Sequence, residues 1–105
     1  MAKKNPNFES DPGSAAEVAE TVKALGHPIR LGIVSLLAKR DARVGEICEI
    51  LGARQAAVSQ QLRILRMSGL VATVRNGGVP LYTLAEPSLR DLLACLGRCE
   101  RGRAK

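Results

Sequence analysis

From Ala15 onward, apolar residues recur at Ala15, Val18, Ala19, Val22 and Leu25, the spacing of one helix face. Ser14 and Glu17 stand three apart in front of that run, as in a capping box, where hydroxyl and carboxylate each hold a free backbone N–H. The segment before it, residues 1–13, is polar and reads as an arm without fixed structure. Gly26 suits a left-handed helix stop and Pro28 the start of the next helix. That second helix carries Ile29, Ile33, Leu36 and Leu37, with Leu31 and Val34 widening its apolar face, and it fades at Lys39-Arg40-Asp41. A short third helix is predicted over Val44 to Leu51, a turn at Gly52-Ala53-Arg54, and a fourth helix over Gln55 to Met67 that ends before Gly69.

The period then changes from helical to alternating. Leu70 to Arg75 is rich in β-branched residues and reads as a strand. Asn76-Gly77 predicts a hairpin turn, since both residues tolerate positive φ. Val79 to Leu84 returns as the second strand, and Pro80, which lacks an N–H, places it at an edge. Pro87 reads as a first-turn proline, followed by a Leu89, Leu92, Leu93, Leu96 stripe to about Cys99. The expected fold is mainly α with a small β-hairpin, in the order α-α-α-α-β-β-α, which is a winged helix-turn-helix. One domain is expected over residues 14–99, with a basic tail at 100–105.

Composition narrows the function. A chain of 105 residues holds one core and no second catalytic domain. Phe8 and Tyr82 are the only Phe, Tyr or Trp residues, which argues against binding by stacking bases on rings. The net charge of +6 points to a polyanionic partner. Its placement says more: no Asp or Glu occurs between Glu49 and Glu86, whereas Arg54, Arg63, Arg66 and Arg75 do. With one His, no glycine-rich phosphate loop and no nucleophile–base set, an enzyme is not expected. No apolar run reaches membrane-span length and no signal-like segment follows Met1, so a cytoplasmic location is expected.

The fourth helix carries the chemistry. Val58, Leu62 and Leu65 form a docking side, and the other side offers Gln55, Ser59, Gln60 and Arg63. Glutamine can bond adenine at two points and arginine can do so to guanine in the major groove of duplex DNA. Arg54 and Ser59 lie near the helix N-terminus, where phosphates are favoured. Arg75 and Asn76, at the tip of the hairpin, suit a phosphate or the minor groove. The competing reading is a winged helix that binds protein and no DNA.

Three segments resemble the ArsR/SmtB group of small bacterial winged-helix repressors. They are Ala24-Leu25-Gly26-His27-Pro28-Ile29-Arg30-Leu31, then Gln55-Ala56-Ala57-Val58-Ser59-Gln60-Gln61-Leu62, then Leu65-Arg66-Met67-Ser68-Gly69-Leu70-Val71 leading to Arg75-Asn76-Gly77. The resemblance implies a homodimer joined by its first and last helices, bound to double-stranded operator DNA and released by an inducer. The chain departs from it at Gln61, where the group usually has His, and at Gly78, where many members carry a basic residue. His27 matches the group's His-Pro pair and reads as a helix-start residue.

The group's arsenic-type site is not intact, because Arg43 and Gly45 stand where two of its cysteines would be and only Cys48 remains. The zinc-type site is absent, since no His follows Asp91. Cys95 and Cys99 are left, four apart on one face of the last helix and within reach of one soft ion. No obligatory cofactor is expected. The expected inducer is thiol-reactive: As(III), Sb(III) or a soft divalent metal at Cys95 and Cys99, with Cys48 as a third ligand if the fold brings it near. The alternative is a repressor that senses reactive sulfur or redox state through Cys95 and Cys99.

Overall fold

A computed structural model describes residues 7–98. Its elements are α1 (Pro12–Leu25), α2 (Pro28–Lys39), α3 (Val44–Leu51), α4 (Gln55–Met67), β1 (Val71–Asn76), β2 (Val79–Leu84) and α5 (Leu89–Gly97). The order is the one the periodicities predict. Residues 1–6 of the arm, Cys99 and the 100–105 tail lie outside the described residues.

α2 is the hub. It packs against α1, α3, α4, β2 and α5. Its Ile33, Val34 and Leu37 join Ile47 of α3 and Val58, Leu62 and Leu65 of α4 in a core where each is at most 1% exposed. Each such aliphatic side chain contributes about 1.5–3 kcal/mol by leaving water. Those seven burials outweigh the exposed Arg40–Glu46 ion pair at 3.2 Å, because solvent screens a pair at the surface. Leu31, read as part of the α2 apolar face, is instead 38% exposed. Gly32 lies beside it because α3 comes close there: a Cβ on Gly32 would sit 3.1 Å from Leu51 Cδ2.

Three helix ends and the hairpin turn carry corrections, the first being that Gly26 ends α1 at φ −82°, outside the left-handed region expected of it. α1 begins at Pro12, two residues before the expected cap, and its N-cap is Asp11, which accepts from the Ser14 N–H at 3.2 Å. Asp11 wins over Ser14 because Pro12 occupies the N1 position, where its missing N–H costs nothing. Pro87 lies ahead of α5 in a turn, with the Leu89 N–H bonded to the Glu86 carbonyl at 3.1 Å. At the hairpin the left-handed positions are Gly77 (φ 66°) and Gly78 (φ 85°), not Asn76, which ends β1 opposite Val79. Two glycines take both central positions of the tight turn more easily than an Asn-Gly pair shifted by one residue.

β1 and β2 pair antiparallel from Val71↔Leu84 to Asn76↔Val79. The far side of β2 meets Ala42, which exchanges two backbone hydrogen bonds with Tyr82 at 3.1 and 2.8 Å. By alternation Pro80 turns its nitrogen to that same side, away from β1. The bridge fixes the hairpin to the α2–α3 connection.

Two predictions follow from these joints. Gly52 ends α3 at φ 64° with open space around its Cα, so only backbone strain opposes a side chain there. Gly52→Ala should lower stability by about 1–2 kcal/mol and Gly52→Asn by less, read from urea unfolding midpoints. Glu46 accepts from the Arg43 N–H at 3.0 Å and from Arg40 at 3.2 Å. That backbone bond first, and Arg40 second, hold its carboxyl below the usual 4.5. A lowered folded-state value means the contribution is present at neutral pH and is lost as pH falls through that value. Glu46→Gln should therefore lower stability at neutral pH, and the difference from wild type should shrink as pH falls below about 4.5, read from urea unfolding at each pH.

Candidate nucleic-acid interface

α3 and α4 meet at the Gly52-Ala53-Arg54 turn, where the left-handed Gly52 lets the Ala53 N–H reach the Cys48 carbonyl at 3.2 Å. α4 then docks through Val58, Leu62 and Leu65. Docking those three residues turns the rest of the helix outward. Gln55, Ser59, Gln60 and Arg63 are all exposed, as the sequence pattern predicts, and Arg54 is exposed at the N-cap. Arg54 makes no side-chain cap bond, so the first N–H groups of α4 are free to meet solvent or an anion.

Gln61 is placed differently from its exposed neighbours. It is half-buried, and its Oε1 accepts from Arg30 Nη1 at 2.7 Å. Arg30 also donates through Nε to the Ala24 carbonyl at 2.6 Å. One guanidinium thus joins the end of α1, the start of α2 and the middle of α4. The clue in the sequence is that Arg30 stands three and four residues before Ile33 and Val34, on the buried face of α2. A charge at such a position must find partners. His27 caps α2, its Nδ1 accepting from the Ile29 N–H at 3.1 Å, which matches its reading as a helix-start residue.

Beside α4 stands the hairpin. Arg75 bends back to its own turn, donating to the Gly78 carbonyl at 2.7 Å. Asn76 is exposed at the tip. Between α4 and β1 runs a cleft of about 580 Å³ lined by Arg63, Arg66, Met67, Val71, Ala72 and Thr73. Sequence reasoning did not single out Arg66 and Thr73 as site residues.

The cysteines are apart in kind. Cys48 is half-buried against the core, and Cys95 is exposed on α5. Among the described residues no three His, Cys, Asp or Glu side chains gather to hold a metal ion. No described helix is long and apolar enough to cross a membrane.

A short helix, a tight left-handed turn, a polar-faced helix free of acids and a hairpin beside it define a winged helix-turn-helix DNA-binding protein. Comparison with known proteins agrees. Residues 27–73 match the bacterial regulatory protein, arsR family. The chain is 43% identical over 77 residues to the uncharacterised HTH-type transcriptional regulator Rv0081 of Mycobacterium tuberculosis, covering 72% of this chain and 68% of that one. The transcriptional repressor BigR from Xylella fastidiosa superposes with a TM-score of 0.76 at 36% identity, over 94% of this chain and 100% of that one. The homodimeric winged helix-turn-helix domain of Mb0332 from Mycobacterium bovis superposes with a TM-score of 0.71 at 29% identity, over 91% and 86%. The chain belongs to the ArsR family and is a DNA-binding transcription regulator.

The Arg30–Gln61 contact generates a prediction. In a double-mutant cycle of Arg30→Met and Gln61→Met, the coupling should be about 0.5–1.5 kcal/mol by urea unfolding. Arg30→Met alone should cost more than Gln61→Met, because it also releases the Ala24 carbonyl. Additive single effects would mean that the contact carries no energy.

Proposed function

We propose that this regulator is a homodimeric operator-binding repressor that a thiol-reactive inducer releases. The observation that carries the reading is the outward face of α4, where Arg54, Gln55, Ser59, Gln60 and Arg63 are exposed and make no side-chain bond to any other described residue. These residues read the major groove, Gln55, Gln60 and Arg63 at bases and Arg54 and Ser59 at phosphates, while Arg75 and Asn76 steady the neighbouring backbone.

Dimerisation through α1 and α5 is supported by apolar side chains that the single chain leaves in water. Val18 and Val22 of α1 are 41% and 57% exposed, and Leu96 of α5 is 46% exposed. The α1 stripe is thus divided: Leu25 enters the chain's own core, and Val18 and Val22 remain for a second copy. Such a patch on a small basic protein marks an interface.

The inducer reading rests on Cys95, an exposed thiol on the same helix as Leu96. A soft metalloid such as As(III) bridging Cys95 and Cys99 next to the dimer seam would favour one subunit geometry over another. That differential affinity is what release from DNA requires. Cys48, packed against the core, is the weaker ligand candidate of the three.

Three measurements test this. Val22→Glu should convert the dimer to monomer in sedimentation and abolish operator binding with it. Arg63→Gln should weaken binding to a selected palindromic duplex by about 1–3 kcal/mol, with less effect on random duplex. Release of the wild-type protein by arsenite, cadmium or polysulfide identifies the inducer class. Cys95→Ser and Cys99→Ser variants that respond like wild type to all three would end the thiol reading.

A further inference from the structure

We infer that the cleft between α4 and β1 is a seat for one backbone phosphodiester of the duplex, held by Arg66, Thr73 and Arg75. The inference rests on the operator-binding reading and adds to it a site that the base-reading face does not include. Beyond the main cleft, a second hollow of about 220 Å³ is lined by Arg66, Thr73, Val74, Arg75 and Pro80. The two hollows share Arg66 and Thr73, so these side chains stand where the hollows meet.

Charge argues for an anion there. Arg63, Arg66 and Arg75 line this groove, and no acid occurs in the chain from residue 50 to residue 85. The guanidinium of neither Arg63 nor Arg66 bonds to another described residue. Cations that share a groove without a counter-charge repel one another, and a phosphate entering it removes that cost. Thr73, half-buried, adds a hydroxyl that makes no bond to a described residue. The hairpin register places Thr73 and Arg75 on one face, opposite Tyr82 and Pro80, and that face turns to Arg66.

The apolar part fits the rest of a nucleotide. Met67 and Val71 line the same cleft, and Met67 is 81% exposed. An exposed thioether chain suits the face of a deoxyribose. Arg66 also lies seven residues after Ser59, on the same flank of α4. A strand seated in the cleft therefore runs on toward Ser59 and Gln55 at the base-reading end.

The test uses fluorescence anisotropy on a selected duplex and a random duplex between about 50 and 200 mM salt. Arg66→Gln should weaken both by about tenfold, lower the salt slope by about 1, and leave the ratio between the duplexes unchanged. Arg66→Lys should keep the slope, and Thr73→Ala should weaken both duplexes without changing it. A single methylphosphonate, walked along the wild-type duplex, should find one position whose loss matches Arg66→Gln and does not add to it. An unchanged slope in Arg66→Gln, or a loss confined to the selected duplex, would overturn the phosphate seat. So would the absence of any methylphosphonate position coupled to Arg66. Failure of the wild-type protein to bind any duplex would instead defeat the operator-binding reading itself.

Discussion

Burial of Ile33, Val34 and Leu37 along one side of α2 fixes where every other element stands. The chain has no Trp and only one Phe and one Tyr, and with Tyr82 only half-buried at the core's edge, rings fill little of the space between elements. Aliphatic side chains fill it only if the backbones come close, and close packing leaves few ways to arrange them. α2 meets this constraint by touching α1, α3, α4, β2 and α5 at once. Gly32 is part of the same solution, since its missing side chain admits Leu51 of α3. The orientation of α4, and with it the surface offered to DNA, is a consequence of how Val58, Leu62 and Leu65 fit that shared core.

Polar joints then select one arrangement from those the apolar core permits. Arg30 is tied to Ala24 and Gln61, Arg90 to the Ala38 carbonyl at 2.9 Å, and Tyr82 to Ala42. Each tie links α2 or its end to a different neighbour: α1 and α4, α5, and the hairpin. Among the described residues no buried side-chain nitrogen or oxygen lacks a partner, so this specificity carries no stranded polar group. Hydrogen bonds of this kind add little net energy compared with the core, but they define angles that aliphatic contacts leave soft. For a DNA reader the angle between α4 and the hairpin matters more than a kilocalorie of stability.

The α2, α3 and α4 spans were legible because each is set by local signals: Pro28, the Gly52 turn and an apolar period of about 3.6. The docking and outward sides of α4 were legible for the same reason. The features missed depend on distant partners or on competition between near-equal neighbours. Asp11 and Ser14 both qualify as caps, and Pro12 decides between them. Asn76-Gly77 and Gly77-Gly78 both qualify as turns, and the strand register decides. The Ala42–Tyr82 bridge joins residues forty apart in sequence, beyond any periodicity. Val18 and Val22 show a further limit: a stripe states that a face is apolar, not whether its own chain covers it. Arg66 reads in the sequence as one charge among several and as part of a family segment, and its pairing with Thr73 is hidden because Thr73 belongs to another element.

The net charge of +6 does not itself distinguish a DNA reader from any other basic protein; how the arginines are used does. Arg30, Arg40, Arg75 and Arg90 each bond to backbone or side-chain oxygens within the fold. The side chains of Arg54, Arg63 and Arg66 bond to no other described residue, and all three lie on α4 or at its N-cap. A guanidinium on an ordinary solvated face commonly finds a carboxylate three or four residues away on its own helix. α4 offers none, since it contains no Asp or Glu. Leaving three arginines unpaired on one helix raises the cost of the isolated protein through mutual repulsion, and supplies a matching gain when phosphates arrive. The same acids placed on α4 would stabilise the free protein and oppose its partner, so their absence there favours the bound state.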